Sequence, residues 1–284
     1  MTASPTATPS HAATLLGAGR IIEALLSGLA HTGQLQPESL VATARRPERA
    51  DELFTRYGLR ALTDNRAAVQ GAELVVLAVR HAQLAAVLDE VAPVLRPGQC
   101  VVSLAAGVPV SLVERRLPAF VPVVRALPNT PMAVGAGVIA VAPGSRASLE
   151  DVARVEGFFS PVGKVVRVEE AWLDGVNALS GAGPAYAYLM VEALAAAARR
   201  EGLPADLAHT LASDTLLGAA HMVTMSGLTP SALIAQVAGP GGATAAALSQ
   251  LEALGVREAF GAAVQAAARN TRERGRKLGE DAGG

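Results

Sequence analysis

Short, unbroken apolar runs alternating with helix-like segments constrain this chain more than any other feature. Ala12 to Leu16, Leu40 to Thr43, Leu74 to Val79, Val101 to Leu104 and Val121 to Val124 are nearly continuous in apolar residues. A strand with one wet face alternates apolar and polar residues, whereas a strand covered on both faces does not. Helix-like spacing at Ile21 to Leu29, Ala82 to Val91 and Val110 to Leu117 supplies the covering layers. The pattern predicts an α/β fold built on a parallel, doubly wound sheet. Val138 to Ala142 and Val165 to Val168, with a helix from Leu149 to Phe159 between them, are expected to complete it.

From Glu170 onward no strand pattern appears. Gly183-Pro184 opens a helix expected to reach Glu201, Gly202 ends it, and Pro204 starts another reaching about Ser226. Val256, Phe260, Ala263, Val264 and Ala267 recur at helical spacing in the last segment. The chain therefore reads as a tail over 1–11, a sheet domain over 12–169 and an all-helical domain over 170–284. The tail, MTASPTATPSH, lacks the basic start and apolar core of a secretion signal and is expected to be disordered.

The first apolar run ends in Gly17-Ala18-Gly19 and passes into a helix, an arrangement that brings a dinucleotide pyrophosphate onto backbone N–H groups. Position 22, where close helix packing favours Gly or Ala, is Ile. After the second run stand Arg45 and Arg46, where an NAD-binding domain usually carries an acid for the ribose hydroxyls. Two arginines suit a 2′-phosphate; they equally fit a solvated loop. Loops at strand ends carry Asn65, Val79-Arg80-His81 and Ala105-Ala106-Gly107, where the nicotinamide half is expected. Asn129-Thr130, between Pro128 and Pro131, forms a polar turn that either faces this site or is a tight connection.

No Asp, Glu, Lys or Arg occurs from Thr215 through Leu251. Within that stretch Gly239-Pro-Gly-Gly-Ala-Thr244 leads into an alanine-rich helix, whose start offers N–H groups and partial positive charge to a carboxylate or phosphate. The same residues also describe a plain helix-to-helix turn. A helical half so poor in charge is expected to be covered by a second chain. With a formal net charge of -1, the overall field does not favour nucleic acid or an anionic membrane. Prolines, glycines and hydroxyl residues interrupt the charge-free stretch, so a membrane span is not expected. The single cysteine, Cys100, lies in an apolar run and fits a buried thiol in a reducing cytoplasm.

Leu16-Gly-Ala-Gly19, Arg125-Ala-Leu-Pro-Asn-Thr-Pro131, Leu179-Ser-Gly-Ala-Gly-Pro-Ala-Tyr186 and Pro240-Gly-Gly-Ala-Thr244, in this order, resemble the pyrroline-5-carboxylate reductases over about residues 12 to 278. The resemblance implies an N-terminal Rossmann domain, a C-terminal helical dimerisation domain and reduction of a cyclic imine acid to proline with NADPH, NADH being possible. It places the cofactor on Leu16, Gly17, Ala18, Gly19, Arg20 and Ile21, on Arg45 and Arg46, and on Asn65, Val79, Arg80 and Ala106. It places the substrate carboxylate on Gly241, Gly242, Ala243 and Thr244, with the Thr244 hydroxyl as the catalytic contact near the ring nitrogen. No metal is implied. The chain departs from the family at Ile22, Ala196, Ile234-Ala235 and Gly239, where Gly or Ala, aspartate, Lys-Asp and serine are usual. Readings that remain beside it are a reductase of a related cyclic imine, a 3-hydroxyacid dehydrogenase and a noncatalytic NADPH sensor. The dehydrogenase is expected to carry a lysine in the helical half, yet none lies between Lys164 and Lys277.

Overall fold

The computed structural model describes residues 11–281. The chain forms two compact units, one of residues up to Gly181 together with those from Ala267 onward, the other Ala182–Ala266. The tail reading over 1–11 thus lies outside the described residues except at His11, which begins the first strand.

The first unit contains an eight-stranded sheet: β1 (His11–Leu16), β2 (Leu40–Thr43), β3 (Arg60–Leu62), β4 (Ala72–Leu77), β5 (Cys100–Ser103), β6 (Val123–Pro128), β7 (Gly137–Pro143) and β8 (Gly163–Arg167). Its order is β3-β2-β1-β4-β5-β6-β7-β8. The neighbours pair in parallel except β6 and β7, which run antiparallel with Arg125 opposite Ala142. The parallel, doubly wound sheet expected from the apolar runs is present, with this one pair antiparallel. Apolar continuity reports burial on both faces, which β7 shares, and carries no strand direction.

Helices α1 (Arg20–His31), α2 (Pro47–Tyr57), α3 (Asn65–Val69), α4 (His81–Val91), α5 (Val110–Glu114) and α6 (Leu149–Phe159) cover this sheet. Two apolar cores result, one on each face: Leu15, Ile22, Leu25, Leu53, Val102, Ile139 and Phe159 on one, and Leu16, Val75, Leu88, Val101 and Val113 on the other. The sequence's missing third glycine causes no crowding. Ile22 is fully buried in the first core, and the close approach falls at Gly28, where a Cβ would lie 2.0 Å from the Met132 carbonyl oxygen. Ser148 and Asp151 close a reciprocal capping box at the start of α6.

The first unit runs past position 169. α7 (Leu173–Val176) places Leu173 in an apolar cluster with Leu127, Ala140 and Ala142. The Asn129 side chain donates to the Ser180 carbonyl and hydroxyl and accepts from the Val138 N–H at 2.8 Å.

The second unit holds α8 (Gly183–Arg200), α9 (Ala205–Met225), α10 (Pro230–Val237), α11 (Ala243–Ala253) and the start of α12 (Val256–Asp281). Its internal core is small, Ala195, Ala208 and Ala212 with Val191 and Leu203 beside them. Tyr188, Leu189, Leu217, Met225 and Val237 are exposed on it. No described helix is long and apolar enough to cross a membrane.

Candidate functional site

In an open parallel sheet the ligand cleft lies beyond the strand C-termini where the strand order reverses, which here is between β1 and β4. A cleft of about 880 Å³ occupies that place. Gly17, Ala18 and Gly19 form its floor, Arg45 and Arg46 follow β2, Asn65 begins α3, and Val79 and Arg80 follow β4.

The glycine turn is shaped for close approach. Gly17 has φ +97°, and a Cβ on it would come within 3.1 Å of the Ala78 carbonyl oxygen. Its N–H donates to Thr43 Oγ1 at 3.2 Å, fixing the turn to β2. Gly19 is the N-cap of α1, carries no side-chain cap, and has nothing within 4 Å of where a Cβ would stand. The first-turn N–H groups of a 12-residue helix are therefore left without a side-chain cap. A pyrophosphate fits this cradle, and the exposed guanidinium groups of Arg45 and Arg46 fit a further phosphate on the same rim. The cleft therefore fits an NADP-type dinucleotide by its own geometry.

The remaining cofactor candidates stand apart from the cleft wall. Leu16 is fully buried in β1, Ile21 packs against the first core, and Arg20 is exposed on the first turn of α1. Ala106 is half-buried, and its carbonyl accepts from His81 Nε2 at 2.6 Å, tying the loop after β4 to the loop after β5.

Sequence reasoning missed two parts of the wall. Gln83, Ala86, Val87 and Glu90 line the cleft from one face of α4, at a spacing readable in the sequence as a single helical face. Arg49 also lines it, with Nε donating to the Ala18 carbonyl at 3.3 Å. Its charge is engaged by Glu52 at 2.7 Å and by Glu23. Its hydrogen bonds to those carboxylates, Glu52 foremost and then Glu23, raise its pKa above the usual arginine value. Arg49 thus braces the glycine turn, with little free charge left for a phosphate.

The substrate candidates belong to the second unit. Gly241 has φ +71°, a conformation that favours glycine, and Gly242 caps α11 without a side-chain bond. The Gly242 N–H is held by the Gly239 carbonyl at 3.0 Å, which closes the turn. Ala243 and Thr244 form the first turn of this 11-residue helix, and both are exposed. Gly239, where serine is usual in the family it resembles, has nothing within 4 Å of a Cβ, so space does not require glycine there. Ala196, Ile234 and Ala235 are exposed on α8 and α10. Among the described residues there is no cluster of metal-ligating side chains.

A family model for pyrroline-5-carboxylate reductase dimerisation matches residues 170–274. A second model, for NADP oxidoreductase, coenzyme F420-dependent, matches residues 13–107. The pyrroline-5-carboxylate reductase of Corynebacterium melassecola is 40% identical over 265 residues, 92% of this chain and 98% of its own length. The chain belongs to the pyrroline-5-carboxylate reductase family. Its relative from Mycobacterium tuberculosis is 41% identical over 276 residues, covering 89% of this chain and 93% of that one. Two solved structures of pyrroline carboxylate reductases superpose closely. That from Plasmodium falciparum, with NADP bound, has TM-score 0.85 at 26% identity and covers 93% of this chain and 98% of that one. That from Coxiella burnetii has TM-score 0.84 at 33% identity, with the same coverage of each. The reductase family thus accounts for both the sheet unit and the helical half.

Proposed function

We propose that this chain is an NADPH-dependent oxidoreductase that reduces 1-pyrroline-5-carboxylate to L-proline, the last step of proline biosynthesis. The observation that carries the reading is the uncapped glycine start of α1 beneath a cleft edged by Arg45 and Arg46, in a chain of this family. When bound, NADPH supplies the hydride that the imine carbon receives.

The chain's own part is to bind and orient. Gly17 to Ile21 hold the pyrophosphate through backbone groups, with Leu16 ending the strand beneath them. Arg45 and Arg46 hold the 2′-phosphate, while Asn65, Val79, Arg80 and Ala106 contact the rest of the dinucleotide. Within the Gly241 to Thr244 turn the Gly242 N–H is held by the Gly239 carbonyl, so the Ala243 and Thr244 N–H groups that open α11 hold the substrate carboxylate, and the Thr244 hydroxyl accepts a hydrogen bond from the ring N–H. A protonated imine is already electrophilic, so the reaction asks for little acid or base. Fixing two molecules in register supplies most of the acceleration, of the order expected from lost translational freedom, about 7 to 11 kcal/mol at best.

Self-association completes the proposal. The exposed apolar side chains of α8 to α12 exceed what a small helical unit can cover, and a second copy buries them in a dimer or a multiple of dimers. The protein acts on a small molecule in the cytoplasm, without nucleic acid or membrane.

The test is to mix protein, NADPH and the imine acid and follow the near-ultraviolet absorbance of the dihydronicotinamide. Loss of absorbance with matching formation of L-proline supports the reading. NADPH binding without turnover makes the chain a sensor, and reduction of NADP+ by a 3-hydroxyacid with no turnover of the imine acid makes it a dehydrogenase.

A further inference from the structure

We propose that Glu170 is a positioning residue for the nicotinamide: its carboxylate, held by the buried Arg125, fixes the loop after β5 in the place where that loop meets the reactive half of the cofactor. The inference rests on the cofactor reading above and extends it to two side chains outside the cleft. The loop runs from Leu104 to Pro109, between the end of β5 and the start of α5, and carries Ala106. Loops beyond the strand C-termini of a doubly wound sheet are the ones that face a dinucleotide.

This loop has no local anchor at its far end. Pro109 is the N-cap of α5 and offers no side-chain acceptor to the first helical N–H groups. Glu170, 60 residues further along the chain than Val110, supplies one: the Val110 N–H donates to Glu170 Oε1 at 2.6 Å. The same oxygen accepts from Arg125 Nη1 at 2.9 Å. Arg125 stands in β6 opposite Ser103, the last residue of β5, so one ion pair spans from the level at which the loop leaves the sheet to the point at which it enters α5. Ala106 is tied separately, through its carbonyl, to His81 Nε2.

Stability alone does not account for the pair. The Arg125 side chain is 4% exposed, and its Nε and Nη2 are buried without a hydrogen-bond partner among the described residues. A buried cation with unmet donors is a costlier occupant of that place than an apolar side chain of similar volume. What the guanidinium secures is the direction of the Glu170 carboxylate, whose side chain is 38% exposed and would otherwise turn to water. Reactivity depends on such placement, since a displacement of about 1 Å in a positioned group can slow a reaction roughly 100-fold.

Two variants separate reach from charge. Glu170→Gln keeps an oxygen at the same reach for the Val110 N–H and removes the charge, whereas Glu170→Asp keeps the charge and withdraws the oxygens by one methylene, about 1.5 Å. Dissociation constants for NADPH and for 2′-phospho-ADP-ribose, which lacks the nicotinamide, are measured by calorimetry on the full-length protein without substrate. Hydride transfer is then followed in a single turnover with the imine acid. Glu170→Asp is expected to weaken NADPH about threefold to tenfold, to leave 2′-phospho-ADP-ribose within about twofold, and to slow hydride transfer at saturating ligands by about tenfold or more. Glu170→Gln is expected to bring NADPH affinity and rate back to within about threefold of wild type. A role in charge pairing alone gives the reverse order, with Glu170→Gln the worse. That order, wild-type NADPH affinity or wild-type rate in Glu170→Asp, or an equal loss of both ligands overturns the proposal while leaving the cofactor reading intact. If wild type binds NADPH and does not turn over the imine acid, the proposed reaction fails, and the two binding constants still decide the role of Glu170. Failure of wild type to bind either ligand overturns both.

Discussion

A Cβ placed on Gly275 would lie 2.0 Å from the carbonyl oxygen of Gly107, so α12 crosses the loop after β5 backbone to backbone. The contact is reciprocal, since a Cβ on Gly107, at φ +75°, would lie 2.6 Å from the Thr271 carbonyl oxygen. Beside it Asn177 Nδ2 donates to Thr271 Oγ1 at 3.0 Å, which ties the end of the chain to the segment after α7. The loop held in this way is the one whose Ala106 carbonyl takes the His81 ring. Gly275→Ala should therefore lower unfolding free energy by about 1 to 3 kcal/mol, the usual cost of overpacking against backbone. Gly157→Ala, on the exposed face of α6 with nothing within 4 Å, should be neutral or stabilising by up to ~1 kcal/mol. Urea unfolding of the two variants beside wild type checks the contrast.

Cofactor preference should rest on Arg45 and Arg46. Each charge-assisted contact to a phosphate contributes about 1.5 to 3 kcal/mol, so wild type should prefer NADPH over NADH by at least about tenfold. Arg45→Ala/Arg46→Ala should weaken NADPH and leave NADH nearly unchanged, as read by calorimetric titration of both. Equal affinities in wild type contradict the assignment.

Thr244→Ala retains the backbone donor and the start of α11 while removing the hydroxyl. Carboxylate anchoring should survive and orientation of the imine should suffer, lowering kcat/KM by roughly 10-fold to 100-fold with NADPH affinity unchanged. Gly242→Val should be worse, because a branched side chain blocks approach to the N–H groups. Steady-state kinetics of both variants, with their melting temperatures, separates this from a loss of stability.

Cys100 is fully buried in β5, and burial, with a smaller push from the Asp151 charge, raises its thiol pKa to about 12. The folded thiol should stay neutral and unreactive to disulfide reagents in mildly alkaline buffer. The linkage has one sign. The unfolded thiol ionises near pH 9 while the folded one does not, so its contribution is complete below about pH 9 and falls as pH rises toward about 12. The stability difference between wild type and Cys100→Ala should narrow across that window in urea titrations.

The sheet was legible because burial on both faces writes itself as unbroken apolar runs. β3 was not, since Arg60 to Leu62 is a three-residue edge strand with Arg60 exposed. β6 extends to Pro128 through Arg125, a buried cation that pairs with Glu170 at 2.9 Å and interrupts the apolar pattern. The same pairing, with Leu173 on the sheet, carries the first unit beyond position 169, and no change in local composition marks that long-range packing. That Gly17, Gly19, Arg45 and Arg46 border one cleft was readable because a turn and a charge are local properties. The α4 wall and the brace from Arg49 were not, because they depend on which helix face meets the cleft.

Hydride transfer from the dinucleotide to the imine carbon is the central claim, and isotope transfer measures it directly. NADPH carrying deuterium at nicotinamide C4, prepared separately on each face, is incubated with the protein and 1-pyrroline-5-carboxylate, and the proline formed is analysed by mass and proton resonance. The account predicts L-proline with one deuterium at the former imine carbon from one of the two labelled cofactors and unlabelled L-proline from the other. NADPH consumption without label in proline from either cofactor, or no proline at all, would contradict it.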